Sequence, residues 1–343
     1  MLYVHSEGLT NNSNRCDQHK FYIKNHYSLL SLPLMEKRII ARYEGQEKGP
    51  LLICIGGMHG NEPTGIQAIE EVFRLLNVEP EVNPGFHYRG VMLGLRGNLA
   101  ALRTKQRFIK RDLNRMLTSD EETRIRLSDP EKLTDEDKEC IEIIETIESE
   151  RNQDNPPITL ILDLHTTTAD GGIFTIAAED SMSRVLAKGL HAPVVLGIAE
   201  RLTGTTINYF NRPSSNRYCI VFEAGRHDDP NGIHRSVAAI VNCMRSIGSV
   251  SPGDVDHRHD GLLISFSTGR PKMTRLIYHY KINPEEKFVM RPGYENFQQV
   301  KEGEHLAWNE SGMIKAPMKG LILMPKYQAQ GEDGFFIVEP LDL

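Results

Sequence analysis

Five short apolar runs constrain this chain most: PLLICIGG (50–57), YRGVMLGL (88–95), PPITLILDLH (156–165), APVVLGIA (192–199) and YCIVFEAG (218–225). Each is too short for a membrane span and too uniformly apolar for a strand with one wet face. Such runs need cover on both sides, and the segments between them can supply it. Ile66, Ile69, Val72, Phe73 and Leu76 recur at helical spacing, and Asn61 and Pro63 stand before them, which predicts a helix over 63–77. TDEDKECIEIIETIESE (134–150) opens with a Thr cap and an acidic first turn, and carries Ile141, Ile144 and Ile147 along one face. GIHRSVAAIVNCMRSIG (232–248) places Val237, Ile240, Val241 and Met244 together, and KRIIARYEG (37–45) reads as a further strand. The alternation predicts an α/β domain with a parallel or mixed sheet over residues 1–249.

After SVSPGDVDHRHDG (249–261) the pattern changes. Gly and Pro are frequent, the apolar pieces LLISFS, RLIYHY and GLILM are short and strand-like, and no helix is expected. Residues 250–343 are read as a small β-rich domain. VKEGEHLAWNESGMIKAPMKGLIL is similar in style to lipoyl-type half-barrels, but Gly320 stands where a carrier motif has its second Met, so no attached cofactor is expected. The cluster at 253–261, with His257, His259 and several Asp, is read as a solvated linker ahead of a second metal site.

Composition narrows the function classes. The net charge of −6 over 343 residues argues against a nucleic-acid or membrane-surface binder. No basic start followed by an apolar run opens the chain, and Cys16, Cys54, Cys140, Cys219 and Cys243 are odd in number with no Cys-x-x-Cys pair. A reduced, cytoplasmic setting is the expectation. A homo-oligomer is compatible with these numbers.

Three of the apolar runs end in groups that can carry chemistry: GGMHGNE, DLH (163–165) and FEAG (222–225). Spacing alone decides nothing. With 13 His and 46 Asp and Glu, chance gives about two His-x-x-acid matches, and two occur, at His59/Glu62 and His257/Asp260. Context decides, because ligands of open α/β sheets bind at the carboxyl ends of strands. His59, Glu62, His165 and Glu223 are therefore expected at one edge of the sheet. Two histidines and a carboxylate suit a catalytic zinc with its fourth position open, which leaves Glu223 as a general base. Taken singly, each has a plainer reading: a satisfied polar His, a first-turn acid, an Asp163–His165 pair, a turn carboxylate. The basic segment 96–115 suits an anionic substrate and lacks the aromatic interleaving of a nucleic-acid surface.

HGNE, RDLNR (111–115), DLH and FEAG, in that order, resemble the succinylglutamate desuccinylase/aspartoacylase family, which is similar in fold to the zinc carboxypeptidases. The resemblance implies a carboxypeptidase-like mixed-sheet domain and a zinc-dependent hydrolase that splits an N-acyl amino acid into a carboxylate and a free amino acid. It implies one zinc per chain on His59, Glu62 and His165, water activation by Glu223, and carbonyl polarisation by Arg107. It also implies that Asn114 and Arg115 hold a substrate carboxylate and that Asp112 orients Arg115. The family's acyl-gripping arginine and tail tyrosine have no counterpart at their spacing. Arg212 and Arg217 fall elsewhere, and YQAQGEDGFFIVE has no tyrosine at that point. The acyl group is thus left unassigned. Two other readings stand beside this one: a zinc carboxypeptidase, and a non-catalytic zinc- or ligand-binding relative. The short tail favours small substrates, and the intact set of groups favours catalysis.

Overall fold

The computed structural model describes residues 37–254, 258–283 and 285–341. Strands β1 (Ile39–Glu44) and β2 (Glu47–Gly56) lead into helix α1 (Thr64–Val82) and strand β3 (Arg89–Arg96). Helices α2 (Leu99–Thr104), α3 (Ser119–Leu127) and α4 (Asp135–Asp154) precede β4 (Thr159–Thr167), β5 (Phe174–Ile176), α5 (Ser181–Lys188) and β6 (Val194–Leu196). Then come α6 (Ile198–Arg201), α7 (Thr206–Phe210), β7 (Arg217–Arg226), α8 (Gly232–Ser246) and α9 (Arg258–Ser267). The tail carries β8 (Met273–Lys281), β9 (Val289–Met290), β10 (Gln298–Val300), β11 (His305–Asn309), β12 (Gly312–Lys315), β13 (Gly320–Leu323) and β14 (Asp333–Pro340).

Eleven strands form one mixed sheet in the order β1-β3-β2-β4-β7-β5-β6-β8-β14-β13-β10, and β12-β11-β9 form a small antiparallel sheet. Strands β3, β2, β4 and β7 are parallel neighbours. The continuous apolar runs follow from cover on both faces. Leu52 and Cys54 of β2 pack with α1 and α8 in one core, and Ile53 and Ile55 pack with Ile143, Ile144 and Ile147 of α4 in the other. Cys54, Cys140, Cys219 and Cys243 are buried free thiols. No helix among the described residues is long and apolar enough to cross a membrane.

Three local expectations need correction or completion. Thr134 caps α4 in a full capping box with Asp137. Asn61 does not cap α1. Its amide instead donates to Gln328 Oε1 at 3.1 Å, and Pro63 holds the cap position without a side-chain bond. LLISFS is not a strand. It lies in α9, where Leu263 is fully buried and Leu262 and Phe266 pack against the core that α8 lines. Its apolar residues repeat at three-to-four spacing, which a six-residue window reads poorly.

The sheet does not break near residue 250. Strand β8 pairs in parallel with β6, and β14, β13 and β10 extend the sheet antiparallel beyond it. The tail also keeps an apolar cluster of its own, with Val300, Leu306, Phe335 and Ile337. Residues 255–257 of the histidine-rich linker, His257 among them, and Cys16 lie outside the described residues.

Candidate functional site

The site begins where β2 stops. Gly57 has φ 75°, and a Cβ on Gly56 would lie 2.5 Å from the backbone N of Ile66. The strand therefore turns directly beneath the first turn of α1, which a side chain at Gly56 would block. That turn presents His59 and Glu62. The neighbouring strands supply the rest, since His165 of β4 stands opposite Glu223 of β7 in the parallel register. All four side chains are buried, at 3–6% exposure.

Glu62 bridges the two imidazoles. Its Oε1 lies 3.0 Å from His59 Nδ1 and its Oε2 lies 3.0 Å from His165 Nδ1, and the Thr166 N–H donates to the same Oε2 at 3.0 Å. Each imidazole turns its other nitrogen to an acid: His59 Nε2 is 3.2 Å from Asp112 Oδ1, and His165 Nε2 is 3.0 Å from Asp163 Oδ2. The second contact is an ion-pair distance that lies off the hydrogen-bond direction, because His165 Nε2 has no bonded partner. Asp163 is itself held by the Thr206 hydroxyl at 2.7 Å.

One ligand atom each from His59, Glu62 and His165 falls within 4.8 Å of the others. Paired Nδ1 atoms on a shared carboxylate make the donor set that zinc takes, and Asp112 on His59 Nε2 makes an outer-shell partner of the usual kind. The residues present thus fit the ion that the resemblance implies.

Electrostatics sort the acids by environment. Burial would raise Glu62, but His59 and His165 outweigh it and hold the carboxyl well below its usual range. Asp112 behaves likewise under Arg107 and His59. Burial would depress His165, yet Asp163 and Glu62 hold it well above the usual imidazole value. Glu223 goes the other way: burial pushes it up to about 8. Its Oε2 is buried without a partner. A desolvated carboxyl beside a cluster able to hold a metal has the character of a proton carrier.

His59, Glu62, Arg107, Asn114, Arg115, His165 and Glu223 line one cavity. Arg107 donates to Asp112 Oδ2 from Nε at 3.1 Å and from Nη2 at 3.0 Å, and its Nη1 is 3.8 Å from Glu62 Oε1. Asp112 therefore orients Arg107 and His59. Arg115 is held instead by Asp333, whose other oxygen lies 2.8 Å from His279 Nε2. Asn114 accepts the Thr206 N–H at 3.0 Å through Oδ1, which leaves its amide N–H groups to donate. Arg212 and Arg217 turn elsewhere, to backbone carbonyls of 208 and 211 and to Glu148.

Four contributors escape a reading of the sequence: Thr206, His227, His279 and Asp333. His227 lines the cavity, bonds the Thr166 hydroxyl at 2.7 Å, and is depressed by burial. None of the four stands in a motif, and only the tail's return places Asp333 beside Arg115. The tail loop also roofs the cavity with Met324, Lys326, Gln328 and Gln330. Gln330 is pinned there, accepting the Arg107 N–H at 3.1 Å and donating to Phe108 O at 2.9 Å.

The model of the succinylglutamate desuccinylase/aspartoacylase catalytic domain matches residues 48–247. Among solved structures, a succinylglutamate desuccinylase from Chromobacterium violaceum is 18% identical and superposes with a TM-score of 0.58, covering 90% of this chain and 95% of that one. A succinylglutamate desuccinylase/aspartoacylase from Rhodobacter sphaeroides is 17% identical, with a TM-score of 0.58 over 86% and 87% of the two chains. A succinylglutamate desuccinylase from Vibrio cholerae is 16% identical, with a TM-score of 0.59 over 85% and 81%. At these identities the likeness shows a shared fold. No curated protein sequence matches the chain.

Proposed function

The chain belongs to the succinylglutamate desuccinylase/aspartoacylase family, and from that premise we propose that it is a zinc-dependent amidohydrolase that cleaves a small anionic N-acyl amino acid into a carboxylate and a free amino acid. The observation that carries this reading is the meeting of His59, Glu62 and His165 with Glu223 in one cavity that also holds Arg107, Asn114 and Arg115. Zinc, when bound by His59, Glu62 and His165, supplies Lewis acidity and lowers the pKa of water.

The chain's own residues do the rest. Glu223 takes a proton from the attacking water and returns it to the leaving nitrogen, and burial raises the basicity of its carboxylate. Arg107, steadied by two bonds to Asp112, donates to the carbonyl oxygen as negative charge develops. Asn114 and Arg115 hold the substrate carboxylate. Asp333 and the Asn114 carbonyl use two of the five N–H groups of Arg115, which fixes the plane of the guanidinium and leaves others to donate.

A hydrolysis screen of N-acyl amino acids on zinc-loaded protein, with short peptides as controls, tests the reading. Turnover of acyl amino acids without peptide cleavage supports it. Preferred release of peptide C-terminal residues would replace it with a carboxypeptidase, and no turnover of either class would leave the ligand-binding reading.

A further inference from the structure

Resting on that reading, we propose that the amino-acid half of the substrate carries an uncharged, apolar side chain, seated against a wall formed by Ile176, Ile198, Leu202, Ile207, Val221 and Phe336. All six line the same cavity as the metal cluster. Their positions relative to the groups assigned to chemistry are set by the fold. Val221 stands two residues before Glu223 on β7, on the same face of the strand, and Ile176 of β5 is its antiparallel partner. Ile198, Leu202 and Ile207 come from one segment, 198–207, and Phe336 comes from β14.

That segment is built onto the carboxylate clamp. The Thr206 N–H donates to Asn114 Oδ1 at 3.0 Å, and the Leu117 N–H donates to Gly204 O at 3.0 Å. A Cβ on Gly204 would meet the Arg115 carbonyl at 2.2 Å, so the two backbones are in direct contact. A carboxylate held by Asn114 and Arg115 therefore has the apolar wall as its neighbour, and the side chain next to that carboxylate is the group that reaches it.

The charges in the cavity lie elsewhere. The charged residues of the segment, Glu200 and Arg201, are exposed and do not line the cavity. Asp112 takes two N–H groups of Arg107 and Asp333 one of Arg115, and the donors these guanidiniums keep are the ones assigned to the substrate's carbonyl oxygen and to the carboxylate of the clamp. The Lys326 ammonium donates to Ala329 O at 3.1 Å, and its stem lies beside Gly331 next to Arg107. An aspartate or glutamate side chain on the wall would lose its hydration and meet no cation there, whereas a leucine, methionine or phenylalanine side chain would exchange water for close packing.

The test is the ratio of kcat/KM for N-acetyl-leucine, N-acetyl-methionine and N-acetyl-phenylalanine to that for N-acetyl-aspartate and N-acetyl-glutamate, on the full zinc-loaded chain. The expected ratio is about 100 or more. A second readout needs no catalysis: free leucine should raise the thermal midpoint more than free aspartate at equal concentration. Leu202 is half-buried, so Leu202→Arg can place a cation on the wall without filling the core. It should lower the ratio at least tenfold, while Leu202→Met should keep it. Preference for the acidic substrates, a larger midpoint shift with aspartate, or no shift with either amino acid overturns the proposal. If no acyl amino acid is turned over and leucine still shifts the midpoint selectively, the hydrolase reading fails and the apolar subsite stands.

Discussion

Glu223 and Glu62 are carboxylates of one buried cavity with opposite tendencies, and the difference lies in their partners. Glu62 has an imidazole on each oxygen, whereas Glu223 has a bare Oε2 and a pKa pushed up to about 8. Glu223→Gln keeps shape and removes the proton acceptor, so it should leave the fold and bound zinc intact and lower turnover by about 10²–10⁴-fold. Zinc content, thermal midpoint and turnover measured on one preparation check this. Loss of metal would make Glu223 a ligand, and a lower midpoint with full turnover per folded molecule would make it structural. Asp333 gives a pH signature instead. Burial would raise it, but His279 and Arg115 hold it at about 2, against 3.8 for a free Asp. A carboxyl depressed on folding stabilises above its unfolded pKa and loses that contribution as pH falls through its folded pKa. The stability gap between wild type and Asp333→Asn should therefore shrink by about 2 kcal/mol on going from pH 5 to below pH 2. Urea melts across that window measure it, and a pH-independent gap would show that the ion pair contributes no linkage.

At the scale of elements, the site depends on the parallel register of β2, β4 and β7. His165 and Glu223 are in-register partners, so neither needs a loop to find the other. His59 and Glu62 do need one, and it exists because α1 starts directly over the end of β2. Gly56→Ala puts a methyl against the α1 backbone, where no side chain can rotate away. It should cost about 1–3 kcal/mol and weaken zinc binding along with it. Gly261→Ala in α9 is the matched control. Its Cβ would enter open space, and alanine in a helix should stabilise by about 0.5–1 kcal/mol with zinc affinity unchanged. Calorimetric midpoints and zinc titrations of both variants separate a local helix effect from a displaced metal loop.

For the whole molecule, the informative joint is β6 with β8. Through it the tail shares the main sheet, and its loop reaches back over the cavity to Asn61, Phe108 and Arg107. A tail attached by backbone pairing, by core residues such as Met273 and Phe336, and by these bonds should unfold with the rest. Trp308, the single tryptophan, lies in β11 of the small sheet and reports on the tail alone. Its fluorescence and the far-UV circular dichroism should give one coincident denaturant transition. Two separated transitions would mark residues 250–343 as an independently stable unit.

Period and punctuation in the chain were enough for the parallel core strands and the helices α1, α4 and α8, because a run apolar on both faces, or an apolar stripe at 3.6 spacing, is a local property. The strand-end groups were legible for the same reason: His59, Glu62, His165 and Glu223 each follow or end such a run. The helix α9 was not, because its six-residue apolar window fits either period, and packing against α8 decides between them. Nor were the partners. That Asp112 serves Arg107 while Asp333 serves Arg115 depends on where β14 returns after more than two hundred residues. That six apolar side chains from β5, β7, β14 and segment 198–207 share one wall depends on strands distant in sequence lying side by side. Ion pairing and cavity lining are properties of distance in space, and only the assembled sheet sets those distances.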